Sequence, residues 1–142
     1  MSKPETLYMQ KLHKHLPEFL YKEKMNNPYR GGTPDVYYEG NADILWVEYK
    51  YLPSLPPTFT LTNPKGATSV TSLQAKWLRR SFENGRNTLV ILGIANEGGI
   101  IFGVPELDTT YTREELQARI WPNSMIARII AQTVMLNPQQ GA

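Results

Sequence analysis

The sequence predicts one α/β domain in which a mixed β-sheet is flanked by helices. Its 142 residues suffice for one hydrophobic core and are too few for two comfortable ones. Helix and strand periodicities follow each other in the order α-β-β-α-β-β, and the last third of the chain predicts extra helices. A continuous apolar run at residues 88–94 is typical of a central strand covered on both faces. Residues 1–142 are therefore expected to form a single domain.

The composition is that of an ordinary soluble globular protein, with 41% hydrophobic and 20% charged residues. The absence of cysteine excludes disulfides and thiolate metal sites. No stretch approaches a membrane span or resembles a signal peptide, so we expect no membrane partner and a cytoplasmic location. A net charge of +2 does not by itself indicate a nucleic-acid partner.

The first helix is expected over residues 4–16, with Pro4 in its first turn. Its apolar stripe consists of Tyr8, Met9, Leu12 and Leu16. Glu5 lies in the middle of the same stripe, where a buried carboxylate is costly unless it has a partner. We therefore expect Glu5 to point inward. The alternative is a first-turn glutamate that interacts only with the helix dipole.

A connecting loop and a β-hairpin are expected next. Residues 17–34 contain prolines, glycines and asparagines, which favour a loop without regular structure. Two strands follow, DVYYE at 35–39 and ILWVEYKYL at 44–52, separated by a polar turn at Gly40 and Asn41.

The hairpin places three chemically active side chains together. Side chains alternate faces along a strand, so Glu48 and Lys50 share one face of the second strand. Asp35, at the start of the first strand, lies across from the end of the second. Two carboxylates and a backbone carbonyl can hold a hard divalent cation, and a nearby ammonium stabilises charge on a phosphate. The pattern indicates a metal-dependent phosphodiesterase; the alternative is a solvated surface pair on an ordinary hairpin.

The long segment after the hairpin is rich in proline and hydroxyl residues and is expected to be a loop near Lys50 that contacts substrate. Thr58 to Thr62 alternates and could form a short strand, and Lys65 at a turn tip suits a phosphate contact.

The second helix is expected over residues 71–84, capped by Thr71 or Ser72. Its predicted apolar arc contains Leu73, Trp77, Leu78 and Phe82. Gln74 lies near the centre of this arc and therefore needs hydrogen-bond partners, in the site or in a neighbouring loop. Basic residues at the outward positions are Lys76, Arg79 and Arg80.

The C-terminal part begins with strands at 88–94 and 100–104 joined by a hairpin turn. A helical extension follows at about 112–136, opened by a capping box at Thr112 to Glu115. Its last helix is expected to be capped by Asn123 and Ser124, and either completes the core or packs against another subunit.

Pro34-Asp35 followed by Glu48-Tyr49-Lys50 resembles the signature of the PD-(D/E)XK nuclease superfamily. Gly31-Gly32-Thr33 and Gln74-Ala75-Lys76-Trp77 resemble its virus-type replication-repair nuclease (VRR-Nuc) branch. The resemblance covers roughly residues 5–95. It implies a restriction-endonuclease-like core over about residues 5–105.

The resemblance also implies roles for individual residues. Asp35, Glu48 and the backbone carbonyl of Tyr49 would hold Mg²⁺ or Mn²⁺. Lys50 would position or deprotonate the attacking water. Glu5 would reach the metal directly or through water, and Gln74 would lie close to Lys50.

Within this family, a small stand-alone domain resembles phage-type, Holliday-junction-resolvase-like nucleases. That implies a structure-selective DNA endonuclease acting on junctions or flaps, as a homodimer or higher homo-oligomer, in the host cytoplasm. Candidate DNA-contacting residues are Arg30, Lys65, Lys76, Arg79 and Arg80. The alternatives are a sequence-specific restriction-type endonuclease and a non-catalytic DNA-binding or interaction module with the same fold.

Overall fold

The computed structural model describes residues 1–25, 31–66 and 68–136. Four α-helices, one 3-10 turn at Val104–Glu106 and seven strands form in these ranges. The α-helices and strands are α1 Lys3–His13, β1 Tyr21–Lys24, β2 Val36–Glu39, β3 Ile44–Leu52, β4 Thr58–Thr60, α2 Ser72–Glu83, β5 Thr88–Ile94, β6 Gly98–Gly103, β7 Thr110–Thr112, α3 Arg113–Gln117 and α4 Asn123–Val134.

A mixed five-stranded sheet with the order β1-β2-β3-β5-β6 forms the centre of the domain. The central pair β3 and β5 is parallel, because the chain crosses over through α2 between them, and the other neighbours are antiparallel. Helices α1 and α4 cover one face in a first hydrophobic cluster. Helix α2 packs over β5 on the other face in a second cluster. The predicted mixed sheet flanked by helices is confirmed; the predicted α-β-β-α-β-β order holds for α1, β2, β3, α2, β5 and β6, and the chain adds β1 and β4 to it.

The loop predicted for residues 17–34 was wrong in part, because it contains strand β1. This strand pairs with β2 at the sheet edge, with Tyr21 opposite Glu39. All four of its side chains are exposed, and its sequence YKEK shows no apolar alternation. Backbone pairing with β2 and the contact between the Tyr21 and Tyr37 rings hold it there, and its charged side chains suit an edge position.

Two predictions about helix faces also need correction. Leu73 and Phe82 of α2 are 60% and 46% exposed, whereas the buried residues are Ala75, Leu78 and Ser81. Helix α2 therefore contacts the sheet over a narrower part of its surface than the predicted apolar arc. Helix α4 has Pro122 in its cap position, so Asn123 and Ser124 do not cap it.

Helix α4 buries one side against the core, which agrees with the first of the two roles predicted for it. Its buried residues are Ile126, Ala127, Ile130, Ala131 and Val134. Asn123 accepts a hydrogen bond from the Tyr8 hydroxyl of α1 at 2.9 Å. Helix α1 itself ends at His13, three residues earlier than the predicted 4–16 range.

The long segment between β3 and α2 is anchored on the second hydrophobic cluster. Its strand β4 is two residues shorter than the predicted Thr58–Thr62 and pairs with β7 in a separate small sheet. Phe59, Leu61 and Val70 are buried in this cluster. Among the described residues, none of the helices has the length and apolarity that crossing a bilayer requires.

Candidate active site

Strand β3 presents a polar pair on the face that α2 covers. Glu48 and Lys50 are only 2% and 7% exposed, although each carries an ionisable group. The Lys50 Nζ lies 3.3 Å from Glu48 Oε2. Charged groups are almost never buried to this extent unless they are paired and hydrogen-bonded. These two are therefore not a solvated surface pair.

Gln74 connects the pair to helix α2. Its Nε2 donates to Glu48 Oε2 at 2.8 Å, and its Oε1 accepts from Lys50 Nζ at 3.1 Å. Both ends of one amide are thereby used, and the orientation of the amide follows from these two contacts. The structure thus places Gln74 beside Lys50, as the sequence analysis expected.

The same amide also closes the N-terminus of α2. Gln74 Oε1 accepts from the backbone N–H of Thr71 at 2.9 Å, and the Thr71 hydroxyl accepts from the N–H of Gln74 at 3.2 Å. This capping box fixes the position of Gln74 relative to the helix axis. One side chain thus contacts both the Glu48–Lys50 pair and the cap residue of its own helix.

Asp35 reaches the site from the neighbouring strand. The hairpin register pairs Val36 with Val47, which leaves Asp35 just beyond the last pair. Its Oδ2 accepts a hydrogen bond from the backbone N–H of Tyr49 at 2.8 Å. The N–H and C=O of one strand residue point to the same side. The Tyr49 carbonyl therefore faces the margin at which Asp35 lies.

The pKa of each of the two carboxyl groups is raised above its usual value. Burial is the main cause for Glu48, and the nearby Asp35 charge adds to it, so the pKa of Glu48 rises to about 8 despite Lys50. Burial likewise raises the pKa of Asp35, although the Tyr49 N–H opposes the shift. Glu48 Oε1 is buried and has no hydrogen-bond partner among the described residues. A cation between Asp35 and Glu48 would offset the free-energy cost of burying these two carboxylates.

The donor set suits a hard divalent ion such as Mg²⁺ or Mn²⁺. The free Oε1 of Glu48, the Asp35 carboxylate and the Tyr49 carbonyl are all oxygen ligands, which such ions prefer. In the part of the chain that the structure describes, no group of three or more His, Asp or Glu side chains is arranged to hold a metal. A carbonyl and water would complete the coordination of a two-carboxylate site.

Glu5 lies near this site but is turned toward its own helix end. Its Oε1 accepts from the backbone N–H of Ser2 at 3.2 Å, and the Ser2 hydroxyl accepts from the N–H of Glu5. Glu5 is half-buried, and its charge raises the pKa of both Asp35 and Glu48. The structure does not place it as a third carboxylate ligand. Its role at the metal stays a prediction.

Three of the four described candidate DNA-contacting residues, Lys76, Arg79 and Arg80, lie on α2 and line one cavity. Lys65 and Lys76 are exposed, and Arg80 is exposed with its guanidinium 5.2 Å from the centre of the Trp77 ring. Arg79 pairs with Asp108 at 2.7 Å, which reduces its availability for a phosphate. Arg30 lies outside the described residues.

A buried hydrogen-bond chain behind the site was missed by the sequence analysis. His13 Nε2 lies 2.7 Å from the Tyr38 hydroxyl, which lies 2.5 Å from the Tyr49 hydroxyl. Burial, with the Lys22 charge, lowers the pKa of His13 to about 4, so the ring is neutral near pH 7. The chain anchors the side chain of Tyr49, whose backbone borders Asp35. No local signal reveals it, because its members are far apart in sequence.

The two glycines before the hairpin have a steric role. Gly32 has φ +98°, and a Cβ there would lie 2.5 Å from the backbone oxygen of Leu73 at the start of α2. A Cβ on Gly31 would lie 2.9 Å from the Leu73 side chain. The glycines therefore allow the segment leading to Asp35 to pass close to the turn of α2 that carries Gln74.

The sequence matches no protein-family model and no curated protein sequence. A structural match is the Holliday junction resolvase Hjc of Archaeoglobus fulgidus, with a TM-score of 0.53 at 15% identity. The match covers 87% of this chain and 99% of that chain. The chain therefore has the restriction-endonuclease-type α/β fold of this resolvase, a mixed five-stranded sheet flanked by helices.

Proposed function

We propose that this chain is a divalent-metal-dependent endonuclease of the PD-(D/E)XK type that hydrolyses phosphodiester bonds in DNA. The observation that carries the proposal is the buried pairing of Glu48 and Lys50 through Gln74, with Asp35 beside them on the Tyr49 N–H. A purely structural pair would have no reason to leave a buried carboxylate oxygen unpartnered among the described residues.

Each residue then has a defined task. Asp35, Glu48 and the Tyr49 carbonyl would hold a divalent cation, which would supply charge stabilisation at the phosphate and lower the pKa of water. Lys50 uses two of its three N–H directions on Glu48 and Gln74, which leaves one for the attacking water or a phosphate oxygen. Because both partners hold it rigidly, this ammonium is preorganised for charge that develops in the transition state.

We infer that branched DNA is the substrate. The fold is that of a protein described as a Holliday junction resolvase, and the motif resembles the phage-type VRR-Nuc branch. A two-fold junction calls for two symmetric sites, so the active form in this proposal is a homodimer acting in the cytoplasm. The VRR-Nuc assignment depends on Gly31-Gly32-Thr33 and Gln74-Ala75-Lys76-Trp77.

The proposal is tested with plain duplex, single-stranded, flap and four-way-junction DNA, each with Mg²⁺, Mn²⁺ or EDTA. Metal-dependent cutting of branched DNA by the wild type, and none by Asp35→Ala, is the expected result. Cutting of plain duplex at one short sequence would favour the restriction-type alternative. Binding of branched DNA without cutting in the presence of any metal would favour the alternative of a non-catalytic DNA-binding module.

A further inference from the structure

An aromatic row crosses the sheet face that carries the candidate active site. It consists of Tyr21, Tyr37, Trp46 and Trp77, from β1, β2, β3 and α2. Their neighbouring ring centres are 6.2, 5.0 and 5.1 Å apart in that order. These separations lie within the range of interacting aromatic pairs. The planes of these neighbouring rings are inclined by 74°, 60° and 64°, so the four rings, called the aromatic row below, form one continuous line of edge-to-face and tilted contacts.

The aromatic row lies directly beside the site residues. Each element that supplies a site side chain also supplies an aromatic on the same face, two residues away on a strand or one turn away on the helix. The pairs are Asp35 and Tyr37, Glu48 and Trp46, and Gln74 and Trp77. Two residues along a strand span about 7 Å, close to the spacing of successive nucleotides in an extended strand.

The rings are not explained by core packing. Tyr21, Tyr37 and Trp46 belong to neither of the two hydrophobic clusters of the described residues, and Trp77 only borders the second. Tyr21 is 53% exposed, and the other three rings are half-buried. Helix α2 packs over β5 and reaches Glu48 and Lys50 of β3, whereas Tyr21 and Glu23 of β1 on this face are exposed.

The aromatic row has a basic border and an acidic border. On the α2 side, Lys76 is exposed, and Arg80 lies over the Trp77 ring. On the opposite side, the hydroxyl of Tyr37 donates to Glu39 and that of Tyr21 donates to Glu23. Phosphates are attracted to the first border, and carboxylate oxygens on the second can accept from the amino groups of bases.

We propose that the aromatic row binds unpaired nucleobases of the DNA substrate, with phosphates along Lys76 and Arg80 and base edges toward Glu39. The inference depends on the proposed nuclease function and narrows its substrate to branched DNA with unpaired nucleotides at the branch. Stacking on aromatic rings tolerates any sequence, whereas a fully paired duplex has no free base faces to offer. The aromatic row therefore selects structure rather than sequence.

Intrinsic fluorescence tests the inference without altering the aromatic row. The chain has three tryptophans, and the exposed Trp121 is outside the row. In Trp121→Phe protein, emission therefore comes from Trp46 and Trp77 alone. Titration in EDTA with a flap that carries single-stranded nucleotides should quench this emission several-fold more than titration with blunt duplex, since stacked bases quench indole.

A paired substitution gives the second readout. Tyr37→Leu keeps an apolar side chain but removes the ring, and should lower the flap-over-duplex affinity ratio about tenfold. Phe19→Leu is the control, because Phe19 is 52% exposed outside the row, and should leave the ratio unchanged. Fluorescence anisotropy of labelled DNA measures both affinities.

Three results would overturn the inference. Equal quenching by flap and duplex would do so, as would an unchanged affinity ratio in folded Tyr37→Leu. Tryptophan emission that changes with protein concentration but not with DNA would show that the aromatic row binds a second copy of the chain and not DNA. If any of these results is found together with metal-dependent cleavage, the proposed nuclease function stands and only the role of the aromatic row fails. If the protein neither binds nor cleaves any of the DNA substrates, both the proposed function and the role of the aromatic row fail.

Discussion

Replacing Gln74 by methionine removes one amide from three contacts at once. Methionine keeps the length and helix propensity of glutamine, so the change isolates the polar atoms. It leaves Glu48 and Lys50, both buried, with one hydrogen bond fewer each, and removes the acceptor for the Thr71 N–H. Gln74→Met is therefore expected to destabilise the protein strongly for a substitution at a half-buried position.

The magnitude follows from the contacts. A hydrogen bond to a charged group contributes about 1.5–3 kcal/mol, and leaving a buried group unpaired costs a similar amount. The lost cap adds about 0.5–1 kcal/mol. Since Glu48 and Lys50 keep their mutual contact, we expect a loss of about 3 kcal/mol in the free energy of unfolding. For a chain of this length that corresponds to about 10 °C in Tm.

Urea and thermal unfolding followed by circular dichroism in EDTA measure the effect. Gln10→Met is the control, because Gln10 is an exposed residue of α1, and should change the free energy of unfolding by less than about 0.5 kcal/mol. A loss below about 1 kcal/mol in Gln74→Met would refute the reasoning. It would mean that the pair does not depend on the amide.

Three further predictions concern the carboxyl pair and the glycine turn. Asp35→Asn keeps the acceptor for the Tyr49 N–H but removes a charge, so it should raise the free energy of unfolding in EDTA by about 1 kcal/mol. The same substitution should abolish the thermal stabilisation of the protein by Mn²⁺. Stabilisation by Mn²⁺ that persists in Asp35→Asn would exclude Asp35 as a ligand. Burial raises the pKa of Glu48 from 4.5 to about 8, so the folded state retains a proton that the unfolded chain releases. The free energy of unfolding in EDTA should therefore fall by more than about 1 kcal/mol from pH 6.5 to 8, above the range in which the lowered pKa of His13 acts in the opposite direction. Glu48→Gln should remove this fall, and a flat wild-type profile over this range would contradict the shift. Gly32→Ala should lower the free energy of unfolding in urea by more than about 2 kcal/mol, because the added methyl group would meet the Leu73 backbone. Gly85→Ala is the control, since Gly85 also has a positive φ but lies in open space, and should lower it by only about 1 kcal/mol. Equal losses of stability in the two variants would show that only the φ angle matters.

Period-two alternation was sufficient to predict the carboxyl–lysine arrangement. It placed Glu48 and Lys50 on one face, and the short hairpin turn brought Asp35 to the same margin. A polar residue within an apolar helical arc pointed to Gln74. These features were accessible because each depends on local periodicity and on one short connection.

Features that depend on tertiary contacts could not be predicted in this way. Strand β1 has no apolar alternation and is recruited by backbone pairing with β2. The helical wheel gave the direction of the α2 arc but not the width of its contact, so the exposure of Leu73 was missed. The contact between His13 and Tyr38 joins residues 25 positions apart. Tertiary contacts determine each of these three features.

The most direct measurement is single-turnover cleavage of branched DNA by wild-type protein, Lys50→Met and Lys14→Met, with Mg²⁺ and with EDTA. Lys14 is an exposed residue at the end of α1 and serves as the charge-matched control. Phosphodiester hydrolysis at the Asp35–Glu48–Lys50 site predicts cutting that needs metal, is retained in Lys14→Met and falls at least about 100-fold in folded Lys50→Met. Cutting in EDTA, or equal rates in the two lysine variants, would contradict it.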